Sequence, residues 1–125
     1  MKRLAVTTVT WTLLALASGM AGAADGPPKV VLIAGKPSHP PRMHEFNAGV
    51  QLLAKCLRDF PGVKVEYVLN GWPQDEKIFD AAAAVVFYMD GGGGHEVVKE
   101  NGRRKAIVEG WAKKGVGLGF MHFGV

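Results

Sequence analysis

The run Ala84-Val-Val-Phe-Tyr-Met89 is apolar without interruption, and it ends abruptly at Asp90 followed by Gly91, Gly92, Gly93, Gly94 and His95. A short, β-rich run without alternation fits a strand covered on both faces. Glycine has no Cβ, so the backbone after that strand can take positive φ and can lie directly against a ligand. A buried strand that runs into a polar glycine loop has the form of a site at the carboxyl edge of a parallel sheet. This feature limits the fold more than any other in the chain.

The flanking segments agree with it. Lys29 to Gly35 reads as a first strand, and the Pro-rich Lys36 to Arg42 after it can be neither strand nor helix interior. Apolar residues then recur at Phe46, Val50, Leu53, Leu57 and Phe60, a stripe along one side of a helix that stops at Pro61-Gly62. Gly49 lies on that side and would allow close approach to the sheet. Val63 to Leu69 alternates as an edge strand does. Gln74 to Asp80 allows only a turn or two of helix, with Ile78 and Phe79 inward. A helical region from Val97 is interrupted at Asn101-Gly102 and resumes from Arg103 to Lys114, with Ile107, Val108 and Trp111 toward the sheet. Val116 to His122 reads as a fourth strand. The order β-α-β-α-β-α-β with short connections predicts an α/β fold with a parallel sheet between helix layers. No helix or strand follows the fourth strand, so the expectation is the four-stranded N-terminal portion of a larger domain, or a truncated gene product.

Residues 1–23 are read separately. Lys2 and Arg3 precede an apolar stretch from Leu4 to Ala17, and Ala21-Gly22-Ala23 is a small-x-small cleavage pattern. This predicts a secretory signal peptide cut after Ala23, a tether over 24–28 and one domain over 29–125. The expected location is periplasmic or extracellular, with membrane contact only through the leader. Removing the leader takes away two basic residues and no acid, so the formal charge falls from +4 to +2. That balance does not call for nucleic acid. Arg103, Arg104 and Lys105 read as the solvated start of a helix. Cys56 is the single cysteine, so no internal disulfide is expected. Its place in a helix predicts a buried structural thiol.

The four histidines all fall after strands: His39 and His44 after the first, His95 after the third, His122 at the end of the fourth. Parallel strands bring those ends to one edge, where α/β sheets bind ligands. Glu45 and Asp90 belong to the same set. Two chemistries fit these residue types. Imidazoles with a carboxylate can carry out general acid–base work near neutral pH, or two or three histidines and a carboxylate can hold a metal such as zinc. Other classes are disfavoured. Gly115-Val116-Gly117-Leu118-Gly119 is not Gly-x-Gly-x-x-Gly, no P-loop is present, and Ser38, the one serine after the leader, is not in a Gly-x-Ser-x-Gly elbow.

Val30 to Gly35 followed by Lys36-Pro37-Ser38-His39, then His44-Glu45-Phe46-Asn47-Ala48-Gly49, resembles the ThuA-like (trehalose utilisation) domain. So does the strand from Gly115 that leads into Met121-His122-Phe123-Gly124. The resemblance covers nearly all of Lys29 to Val125. It implies a flavodoxin-like three-layer sandwich similar to class I glutamine amidotransferases. Those enzymes carry a nucleophilic cysteine at the elbow where this chain has His122 or its neighbour, so glutamine hydrolysis is not implied. Gly91 to Gly94 looks like the place of their oxyanion-hole glycine. The family association with sugar utilisation implies a carbohydrate-related role.

The expectation is therefore an exported domain that binds a small polar ligand, a sugar or sugar derivative. The ligand would contact Ser38, His39, Asp90 and Gly91 to Gly94. His122, His44, Glu45 and His95 would move protons in hydrolysis, isomerisation or elimination. The alternatives are a non-catalytic carbohydrate-binding accessory domain and a metal-dependent hydrolase. The residues define no cofactor.

Overall fold

The computed structural model describes residues 26–123. The expected signal peptide and the start of the expected tether lie outside the described residues. The strands are β1 (Lys29–Ala34), β2 (Lys64–Val68), β3 (Ala82–Tyr88) and β4 (Gly117–Met121). The helices are α1 (Phe46–Arg58) and α2 (Arg103–Lys113), with short 3₁₀ turns at Glu76–Phe79, Gly92–Gly94, Glu96–Val98 and Glu100–Gly102. All strand pairs are parallel, in the order β2-β1-β3-β4. This is the α/β arrangement expected, with the first four strands in flavodoxin-like order.

β1 is central and apolar on both sides, and its residues Val31 to Ala34 are at most 1% exposed. Val31 and Ile33 pack with Phe79, Val85, Phe87, Met89 and Val108 under α2. Leu32 and Ala34 pack with Phe46, Val50 and Ala54 of α1 on the opposite face. The apolar run of β3 is explained the same way, with Val85 and Phe87 on one face and Val86 and Tyr88 on the other. Gly49 does bring α1 close: a Cβ there would collide with the Tyr88 ring. Lys55 and Arg58 in the last turn of α1 suit the negative end of its dipole. No helix among the described residues is long and apolar enough to cross a membrane.

Several expectations need correction. Cys56 is exposed, because it sits on the solvent side of α1 and not on the Phe46–Val50 stripe. Phe60 lies past the helix and is 63% exposed, so the stripe ends at Leu57. β4 is shorter than Val116 to His122, since His122 turns out of the strand at φ 64°. The helical region after Val97 is a pair of 3₁₀ turns; the break expected at Asn101-Gly102 is present, with Glu100, Asn101 and Gly102 at positive φ of 55°, 51° and 84°, and α2 starts at Arg103 as expected.

The Arg103-Arg104 pair is not simply solvated. Arg104 lies over the Trp72 ring and has only 13% of its side chain exposed. It binds Glu96 and, at 2.5 Å, Glu100. Glu96 is 3% exposed and also accepts from Lys99 at 2.7 Å. Arg103 donates twice to Glu76, at 2.8 and 2.7 Å. Burial works to raise the Glu96 carboxyl, but Lys99 and Arg104 together outweigh it and hold it below its ordinary value of 4.5. The hydrogen bond from Arg103 likewise holds Glu76 below that value.

A carboxyl whose folded pKa is depressed stabilises the fold fully above its unfolded pKa, and this contribution is lost as pH falls through the folded value. Glu96→Gln should therefore destabilise the protein by about 2 kcal/mol at neutral pH, the scale of a lost charged hydrogen bond. Denaturant unfolding should show that deficit narrowing as pH drops below 4.5. A deficit that stays constant down to acid pH would place the effect in packing.

Candidate functional site

The site is built where the order of strand addition reverses, between β1 and β3. β1 is followed by a connection to β2 on one side, while β3 and β4 lie on the other side of β1. A crevice opens at the carboxyl ends of β1 and β3 in such a sheet. Gly35 continues the pairing by one residue, donating its N–H to the Tyr88 carbonyl at 2.9 Å. It leaves no room for a Cβ, which would strike Met89. The chain then enters the exposed Pro-rich loop, whose prolines restrict φ before α1 begins at Phe46. Glu45 precedes α1, and its Oε1 accepts from the Arg42 N–H at 2.5 Å, which closes the loop end.

This loop places His39 and His44 over the end of β3, where Asp90 stands. His44 Nδ1 is 3.4 Å from Asp90 Oδ1, and His122 Nδ1 is 3.8 Å from the same oxygen. The His39 and His44 ring centroids are 3.8 Å apart, and those of His44 and His122 are 4.5 Å apart. Buried Phe46 forms the floor, with ring centroids 5.8 Å from His44 and 5.6 Å from His122. Ser38 Oγ lies 2.9 Å from His39 Nδ1 and fixes that ring. The His44 Nδ1 atom is buried and has no hydrogen-bond partner. At 3.4 Å the Asp90 oxygen lies beyond the usual range of such a bond. The positive φ at His122 is uncommon for a residue with a side chain. It lets the ring sit against Phe46 and face Asp90, where an extended backbone would continue the strand.

Beside this array is a pocket of about 320 Å³ lined by Gly35, Pro37, His39, His44, Glu45 and Asn47 among others. Larger hollows of about 550 and 490 Å³ exist, one near the amino ends of β3 and β4 and one beside Arg103. Neither has a histidine in its lining, and the first lies at the wrong end of the sheet for this fold's ligands. The smaller pocket has the chemistry.

Not every expected residue joins the array. His95 is buried and packs against Phe87 and Phe120, on the face of the sheet under α2. Its Nδ1 accepts from the Val97 N–H at 3.1 Å and starts the 3₁₀ turn there. Glu45 lines the pocket, but its carboxylate is turned onto Arg42. Gly92 to Gly94 form an exposed turn in which Gly92 has φ 58°, and a Cβ on Gly92 or Gly93 would meet nothing within 4 Å. The glycine backbone is accessible, but nothing presses on it to demand four glycines.

Asn47 is the residue that the sequence patterns did not single out. Its side chain donates to Asn70 Oδ1 at 2.7 Å and accepts from the Asn70 N–H at 3.1 Å. This two-way clamp ties the first turn of α1 to the loop after β2, and Asn70 tolerates the φ of 62° that it needs. The only sequence signal was an amide in the first turn of a helix beside His44-Glu45.

No family model, curated protein or solved structure matches the chain. The reading of the site therefore rests on its own geometry. Three imidazoles and one carboxylate at a sheet edge can bind and orient a polar group, relay a proton or hold a cation. Asn47→Ala should cost about 1 kcal/mol in denaturant unfolding, the net value of its hydrogen bonds. Asn70→Gly, which removes the side chain and keeps the positive φ accessible, should cost no more when added to it. Additive losses would show that the two amides do not work as one clamp.

Proposed function

We propose that this is an exported ThuA-like domain that binds a small polar ligand, a sugar or sugar derivative, in the pocket beside His39, His44 and Asn47. The observation that carries the reading is the convergence of His39, His44 and His122 around Asp90 at the reversal point of the sheet. Imidazole, carboxylate and amide groups together supply both donors and acceptors, as a hydroxyl-rich ligand requires. The half-buried pair of His44 and Asp90 is suited to taking a proton from a bound hydroxyl or carbon acid and returning it. The sugar class is supported by the resemblance of the Lys-Pro-Ser-His and His-Glu-Phe-Asn segments, and export by the basic and apolar leader.

Calorimetric titration of the mature chain with mono- and disaccharides, and with their oxidised derivatives, tests this directly. Binding should be weakened at least about tenfold in His44→Ala, a loss of about 1.4 kcal/mol, with circular dichroism unchanged. The same sugars incubated with the protein and analysed for products separate the two forms of the proposal. Conversion lost in His44→Ala and His122→Ala identifies an enzyme, and binding without conversion identifies an accessory domain. Sugar binding that survives in both variants would overturn the assignment of the pocket.

A further inference from the structure

We propose that His39, His44 and Asp90, with His122 beside them, form a binding site for a divalent transition metal of the zinc type. This goes beyond the sugar reading and does not rest on it.

The donor atoms are already gathered. One ligand atom from each of His39, His44 and Asp90 lies within 4.8 Å of the others. The separation between His44 Nδ1 and Asp90 Oδ1 is 3.4 Å. Bonds of 2.0–2.1 Å in a tetrahedral site put neighbouring donors about 3.3 Å apart. The pair is therefore spaced as two ligands of one ion are spaced, and it makes no hydrogen bond. His122 Nδ1 lies 3.8 Å from the same oxygen, beside the three-residue group but outside it.

Two further observations point to a cation. The buried His44 Nδ1 has no hydrogen-bond partner. A structural histidine in such a place would be expected to satisfy both nitrogens, since an unpartnered buried polar atom costs about 1–3 kcal/mol. A ligand supplies the missing partner. Ser38 Oγ meanwhile occupies Nδ1 of His39 at 2.9 Å. With Nδ1–H donating to that hydroxyl, the lone pair of His39 sits on Nε2, the tautomer that ligates through Nε2. The hydroxyl orients the ring as supporting partners of metal-bound histidines do.

The donor set selects the ion. Two imidazoles and one carboxylate, with His122 beside them, suit zinc, nickel or copper, whereas magnesium and calcium prefer oxygen ligands throughout. Cys56 lies exposed on α1 and is no part of the set. The exposed loop gives the ion a way in, and the adjoining pocket of about 320 Å³ leaves one side of the array open.

The test uses tag-free mature protein stripped with EDTA. Titration with Zn²⁺ should show one ion per chain, and Co²⁺ should give the visible absorption of a four- or five-coordinate site. His44→Ala and Asp90→Asn should each weaken binding at least about tenfold, while Cys56→Ser should bind as the parent does. Asp90→Asn changes one half-exposed group and keeps its shape, so it serves if His44→Ala fails to fold. No saturable binding of Zn²⁺ or Co²⁺, or binding unaltered in both variants, overturns the proposal. Repeating the sugar titration in EDTA keeps the two proposals apart. Sugar binding without metal leaves the pocket assignment standing whatever the metal result, and metal binding without sugar binding refutes only the sugar reading.

Discussion

β1 is covered on both faces along Val31 to Ala34, and this burial determines where everything polar can go. Burying an aliphatic side chain of this size contributes about 1.5–3 kcal/mol. A strand so placed cannot host a polar group, and its parallel neighbours on either side satisfy its backbone. The first polar residues after it must emerge at its carboxyl end. There the chain meets the ends of β3 and β4, which are aligned with it through the registers Ala34–Tyr88 and Tyr88–Met121. The site is thus a consequence of apolar packing: the strand ends are level, so His39, Asp90 and His122 emerge at the same edge.

Level strand ends do not by themselves make a rigid site. The loop after β1 is long and exposed, and a flexible loop would lose conformational entropy on binding any ligand. Three devices reduce that loss before a ligand arrives. Pro37, Pro40 and Pro41 limit the backbone of the loop. The Arg42–Glu45 contact closes its far end, and the Asn47–Asn70 clamp fixes the helix that it feeds. Phe46 links these to the core, since its ring lies 5.2 Å from that of Tyr88 in a T-shaped contact and it also lies beside His44 and His122. The imidazoles therefore rest on a surface whose position is set by the sheet.

Much of this was legible in the sequence because it follows from periodicity. The solid runs of β1 and β3, the stripe of α1 and the close approach at Gly49 all come from side-chain spacing, and all are present. The gathering of His39, His44 and His122 with Asp90 follows from parallel order alone. What spacing could not reveal was which face of the sheet each loop turns toward. His95 follows β3 as Asp90 does, yet the glycine turn between them carries the chain across to the α2 side. Cys56 precedes Leu57 by one residue, about 100° around the helix, so the spacing of the stripe itself turns it toward solvent. The pairing of Arg104 with Glu96 was hidden as well, because the bond joins a helix to an irregular turn and neither has a repeating pattern.

The two polar clusters of the molecule differ in a way that bears on function. Under α2, Glu96 meets Lys99 and Arg104, and Arg104 also binds Glu100 and covers Trp72. Each charge there faces an opposite charge, and what is left over is a single guanidinium Nε. Such a closed network can fix the turn that leads into α2, but it offers little to a ligand. Above Phe46 the balance is different. Three imidazoles share one carboxylate, two of them approach the same oxygen at distances beyond a good hydrogen bond, and a buried nitrogen is left over beside an open pocket. Folding alone has no use for that surplus of donor atoms, since each unpartnered polar atom detracts from stability. A ligand or cation over Asp90, as proposed above, would supply the missing partners, while the salt bridges under α2 belong to the scaffold.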